Sequence, residues 1–127
     1  MKPKKILRFY FGADSLERAF DNLIYGKALN FEGDALETAE RLCAIIGEKI
    51  RLKELWNYLD GVISTLPEED RQALISYSAR RDEPLSDGEW KAAKRAVIKF
   101  TRRARRLEEY TDGFTILKKY YCLIATF

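Results

Sequence analysis

Apolar residues recur at intervals of three and four along most of the chain, which is the spacing of one face of an α-helix. The longest such series consists of Leu42, Ile45, Leu52, Trp56, Leu59, Ile63 and Leu66, with Lys49 in the one position that interrupts it. The series predicts a helix of about 30 residues and ~45 Å that begins near Asp34. A kink or break near Gly47 is the alternative, because glycine costs about 1 kcal/mol inside a helix.

Shorter series with the same spacing predict the other helices. Capping-box motifs at Asp14–Glu17, Asp34–Glu37, Thr65–Glu68 and Ser86–Glu89 predict where helices begin. They cover residues 15–25, 67–81 and 90–107, and the C-terminal segment from Phe114. The predicted fold class is all-α, a single domain over residues 1–127 with four to five helices bundled around the long one. The β-branched and aromatic stretch at residues 4–11 predicts a short extended N-terminal arm, with a strand as the alternative.

The composition agrees with a domain that folds without cross-links. Of the 127 residues, 46% are hydrophobic, which is enough for a core that needs neither a disulfide nor a metal. Cys43 and Cys122 have apolar neighbours, so we expect both to be small buried side chains. No apolar stretch reaches the ~18 residues of a spanning helix, and the N-terminus lacks the signal-peptide pattern. We therefore expect a cytoplasmic protein that does not bind membranes.

The sequence lacks residues and motifs that several kinds of catalysis require. There is no histidine, the usual general acid–base at neutral pH and the commonest transition-metal ligand. Neither GxxxxGK[ST] nor GxGxxG occurs. The acidic pair Glu37 and Glu40 and the acidic run 68–70 are explained by an exposed helix face and by a first helical turn. We expect no enzymatic activity, no cofactor, no metal site and no small-molecule substrate.

Positive charge is concentrated in residues 91–106, KAAKRAVIKFTRRARR, which hold eight basic residues and no acidic one. By contrast, residues 9–90 hold seventeen acidic and nine basic residues. The predicted nucleic-acid-binding residues are Lys91, Lys94, Arg95, Lys99, Arg102, Arg103, Arg105 and Arg106. Arginine forks suit phosphates and guanine edges. Two other interpretations stay open: a face that pairs with an acidic protein surface, of this chain or of a partner, and a solvated face whose cations are favoured near the helix C-terminus.

A protein-interaction module without nucleic-acid binding is the second functional hypothesis. The long helix and the apolar C-terminal sequence YYCLIATF, residues 120–127, are its candidate interfaces, and a homodimer is its expected form. Loss of the dimer on deletion of that last segment is what this hypothesis predicts.

Three stretches carry a resemblance: LPEEDRQALISY at 66–77, PLSDGEWKAAKR at 84–95 and TRRARRL at 101–107. Together they resemble the region-4 module of sigma-70-type transcription factors and of phage regulators similar to them. The matching positions are Leu66, Pro67, Glu68, Glu69, Arg71, Leu74, Leu85, Ser86, Glu89 and residues 103–107. The resemblance covers about a third of the chain and implies a transcription-associated, DNA-binding role.

This chain departs from that family in one respect. The family's module has a break before the recognition helix that reads bases, whereas this sequence predicts an unbroken helix from Trp90 to Leu107. No clear recognition helix is therefore predicted. A relative that contacts polymerase or another protein is equally compatible with the resemblance.

Overall fold

The computed structural model describes residues 2–29, 33–79 and 82–120. Within these ranges it is all-helical and has no strand, which confirms the all-α class, but it has six α-helices where four to five are predicted. The elements are α1 (Pro3–Phe11), α2 (Ala13–Leu29), α3 (Ala35–Ser64), α4 (Glu68–Ser78), α5 (Asp87–Arg103), a 3₁₀ turn (Leu107–Tyr110) and α6 (Thr111–Lys119). None of the described helices is both long enough and apolar enough to cross a membrane.

The longest helix, α3, organises the packing. Asp34 caps its N-terminus by accepting a hydrogen bond from the Leu36 N–H at 2.9 Å. The helix continues through Gly47, so the alternative of a break there is wrong. Helices α2 and α6 pack on α3, while α4 and α5 pack on each other and α1 joins the two groups. The largest fully buried side chains come from all six α-helices: Leu7, Phe9, Phe20, Leu55, Leu59, Ile63, Leu74, Phe100 and Leu117.

The predicted extended N-terminal arm is wrong, because Pro3–Phe11 is a helix. Proline is favourable in the first turn of a helix, where its missing N–H costs nothing. The helical conformation buries Ile6, Leu7 and Phe9 in the common core. Burial against the other helices therefore outweighs the strand preference of the local sequence, since that preference depends strongly on context.

The sequence predicts a helix over 90–107, but the observed helix ends four residues earlier, at Arg103. Helix α5 stops at Arg103, and the Ala104 N–H closes it on the Phe100 carbonyl at 2.9 Å. The chain then turns so that the Tyr110 ring stacks on Tyr58 of α3, with centroids 4.8 Å apart. This contact, which ends the straight helix, leaves Arg105 and Arg106 in a turn.

Cys43 is exposed, so its predicted burial is wrong. The first turns of α3 extend beyond the core, whose first member on this helix is Ile45. Cys43 lies on a side of α3 that the described helices of this chain do not cover. Cys122 and the rest of the predicted C-terminal interface lie outside the described residues, apart from Tyr120.

Candidate nucleic-acid interface

Helix α5 begins at a capping box that the sequence predicts. The Ser86 hydroxyl accepts from the Glu89 N–H at 3.3 Å and donates to the Glu89 carboxylate at 2.9 Å. Its inward face is made of small residues and one large one, the buried Ala93, Ala96 and Phe100. Because α5 packs this face on α4, the basic side chains are left on its other faces.

One exposed face of α5 carries a row of cations that have no acidic partner in the described part of the chain. Lys91, Arg95 and Arg102 are exposed, and among the described residues none of them contacts a carboxylate. With Ile98, which is 50% exposed, they follow the 4–3–4 spacing of a single helix face. From Lys91 to Arg102 the row is about 16 Å long. Beside it, the Lys94 ammonium lies 5.5 Å from the Trp90 ring centroid.

Two of the predicted binding residues instead have structural partners. The Lys99 ammonium is 2.8 Å from the carboxylate of Asp70, a residue of α4 that is only 8% exposed. The Arg103 guanidinium donates to the carbonyl of Thr65 at 2.6 Å and to its hydroxyl at 3.1 Å. These contacts fasten α5 to α4 and to the C-terminal end of α3.

An arginine-lined groove continues the row beyond the end of α5. The groove is open, measures about 770 Å³, and lies between the arginines and α3. Its lining consists of Arg102, Arg103 and Arg105, with Asn57, Tyr58, Gly61, Val62 and Thr65 on the α3 side. The Arg106 N–H donates to the Tyr58 hydroxyl at 2.8 Å, which fixes the turn on α3. Arg106 itself points elsewhere, with its guanidinium 3.7 Å from Glu109.

A row of guanidinium and ammonium groups of this kind can bind an extended anion. Guanidinium groups stay charged at all physiological pH values and bind phosphate oxygens in a planar fork. No group of three or more His, Cys, Asp or Glu side chains in the described ranges is placed to hold a metal ion. The sequence could predict the cations, but not the groove, because its α3 wall lies about 45 residues away in the chain.

The comparisons with known proteins identify no relative. No protein-family model, no curated protein and no solved structure matches this chain. The resemblance to the region-4 module consequently stays a prediction from the sequence.

Proposed function

We propose that the protein binds nucleic acid through one face of α5 and the arginine-lined groove that follows it. The observation that carries the proposal is the row of Lys91, Arg95 and Arg102, exposed and without a described carboxylate partner, which runs into that groove. The contacts in this proposal are with phosphates, so binding depends little on base sequence. A transcription-associated role in the cytoplasm, as a binding protein rather than an enzyme, belongs to the same proposal.

The position of the cations supports an anionic partner. Arg102 and Arg103 lie in the last turn of α5, where the helix dipole favours positive charge without any ligand. Lys91 lies in the first half of α5 and Arg95 at its centre, where the dipole does not favour positive charge. Lys91, Arg95, Lys99 and Arg103 also follow each other at i, i+4, and like charges at this spacing cost about 0.2–0.5 kcal/mol per pair. A polyanion bound along the helix relieves this repulsion.

The experiment that tests the proposal is anisotropy of a labelled mixed-sequence duplex, and of one of its strands, titrated at low salt. The variant Lys91→Glu/Arg95→Glu/Arg102→Glu is expected to bind roughly 100-fold more weakly. Each cation that contacts a phosphate releases a counterion from the nucleic acid, and the variant loses this favourable contribution at three positions. The matched control is Arg18→Glu/Lys27→Glu/Lys118→Glu, which changes the net charge equally at exposed positions away from α5. Equal weakening by both variants would show a general charge effect and would contradict the proposed surface.

An interaction module without nucleic-acid binding is the second candidate. The observation that favours it is the exposure of three large apolar side chains on α3, with Leu36 at 66%, Ile46 at 42% and Ile50 at 55%. Such exposure is costly unless a partner covers it. This candidate predicts that the wild-type chain binds neither duplex nor single strand even at low salt.

A further inference from the structure

Helix α3 has a second apolar face, on the side away from the core. Its members are Leu36, Ala39, Cys43, Ile46 and Ile50, and all five are exposed. They recur at intervals of three and four, which is the a/d repeat of helices that pair along a seam. We call this set the exposed α3 seam. It is distinct from the buried series on the same helix, Ile45, Leu52, Leu55, Leu59, Val62 and Ile63.

The exposed α3 seam opens into an apolar groove. Ile46 and Ile50 form one wall of a groove of about 320 Å³, whose opposite wall includes Leu16 and Phe20 of α2. A helix laid along the seam would place its side chains in this groove. The seam and the groove together therefore offer a helix a larger apolar contact surface than the seam does alone.

The charges along α3 select the occupant and its direction. The first two turns carry Asp34, Glu37 and Glu40 against a single cation, Arg41, which pairs with Glu37 at 2.6 Å. The stretch 49–53 carries three cations between Glu48 and Glu54, and one of them, Lys49, already pairs with Asp21 of α2 at 2.6 Å. A parallel copy of α3 would place like charges side by side. An antiparallel copy centred between Ala44 and Ile45 brings the exposed Glu40 of each helix to within about 3 Å, along the helix axis, of the exposed Arg51 of the other, and also opposes the two helix dipoles.

We infer that a second copy of this chain packs on the exposed α3 seam in an antiparallel, twofold-symmetric arrangement. The twofold axis passes between Ala44 and Ile45, which sets Cys43 of each copy opposite Ile46 of the other. Ala39 then lies opposite Ile50. Such an interface is self-complementary, as twofold symmetry requires. It involves no residue of the basic row on α5, so it is independent of the nucleic-acid proposal.

The first test is the molar mass in solution, measured by light scattering on a sizing column at ~100 µM protein in low salt and in ~1 M salt. The wild-type chain is expected to be a dimer in both, because the contact is mainly apolar. Ile46→Glu/Ile50→Glu is expected to be a folded monomer. The matched control Ile75→Glu/Ile98→Glu alters apolar residues of similar exposure elsewhere and is expected to remain a dimer. A monomeric wild type, or a dimeric Ile46→Glu/Ile50→Glu variant with helical circular dichroism, overturns the inference.

The second test fixes the direction of the two helices with a short thiol-specific cross-linker. In a Cys122→Ser background, Cys43 is expected to cross-link to Cys43 of the second copy. In a Cys43→Ser/Cys122→Ser background, a Leu36→Cys thiol is expected not to cross-link, because the two copies of position 36 lie about 25 Å apart along the seam. Cross-linking at position 36 would show a parallel pairing, and a dimer that cross-links at neither position uses another surface; both results overturn the inference.

Discussion

At the scale of the residue, Tyr10 joins the N-terminal helix to α3. Its hydroxyl donates to Asp60 at 2.6 Å, and its ring stacks on Trp56 with centroids 5.4 Å apart. The Trp56 indole N–H in turn donates to the Tyr10 carbonyl at 3.0 Å. Burial, and then the hydrogen bond and charge of Asp60, raise the pKa of Tyr10 to about 12.

This raised pKa predicts a loss of stability in alkaline solution. In the unfolded chain a tyrosine has a pKa of about 10. The folded state therefore gains full stability from protonated Tyr10 below pH ~10, and loses that contribution as the pH rises from about 10 to about 12. Tyr10→Phe is expected to cost about 1–2 kcal/mol at pH 8 and to make the unfolding midpoint less pH-dependent above pH 10. Urea unfolding of both proteins between pH 8 and pH 12 checks this prediction. Unfolding midpoints that fall in parallel with pH in the two proteins would contradict it.

Gly113 is a second residue whose role depends on packing. A Cβ atom at Gly113 would lie 3.2 Å from the Leu55 Cβ and 3.3 Å from its Cδ2, while Leu55 is fully buried. Gly113→Ala is expected to destabilise the fold by about 1 kcal/mol, because overpacking against α3 outweighs the gain in helix propensity. Gly61→Ala is the control: no atom lies within 4 Å of its Cβ position, so it is expected to stabilise by about 0.5–1 kcal/mol. Thermal unfolding measures the change in stability of both variants, and a change of the same sign in both would refute this account of Gly113.

At the scale of the element, one largely buried carboxylate adds an ion pair to the apolar packing of α5 on α4. Asp70 lies in the first turn of α4, and its partner Lys99 has a half-exposed side chain. Asp70→Ala is expected to lower the free energy of unfolding by about 1 kcal/mol, with solvent screening limiting the value. Glu69→Ala removes an exposed acid from the same turn and is expected to cost less than about 0.5 kcal/mol. Chemical denaturation measures the free energy of unfolding of both variants, and equal losses would contradict this expectation.

Helix starts were predictable from the sequence where a side chain caps the backbone, as Ser86 does for α5 and Asp34 for α3. The same kind of motif misled at Thr65, where the sequence predicts a cap for α4. Thr65 instead ends α3, and its hydroxyl donates to the Val62 carbonyl at 2.6 Å. A local motif cannot distinguish the end of one helix from the start of the next when the two are three residues apart.

At the scale of the whole molecule, α3 shows why the apolar periodicity of the sequence does not predict the whole exposed surface. The 3–4 spacing occurs on two of its faces, one through Leu52 and Leu59 and one through Cys43 and Ile46. Burial of Cys43 is predicted because its sequence neighbours are apolar, but apolar neighbours do not show which face of α3 this chain covers. The basic residues of α5 were predictable, whereas the groove depends on how the turn after Arg103 packs on α3. That packing is fixed by Tyr58 and Tyr110, which are far apart in the sequence.

The central claim is that the cations of α5 contact phosphates, and the salt dependence of binding counts such contacts most directly. We would measure duplex affinity at several salt concentrations for the wild type and for Lys91→Glu/Arg95→Glu/Arg102→Glu. With four to five contacts, log K is expected to fall against log salt with a slope of about −4, and the variant slope is expected to be about −1, one unit shallower for each lost contact. Binding with the same slope in both proteins, or no binding of a folded wild type at low salt, would contradict the account.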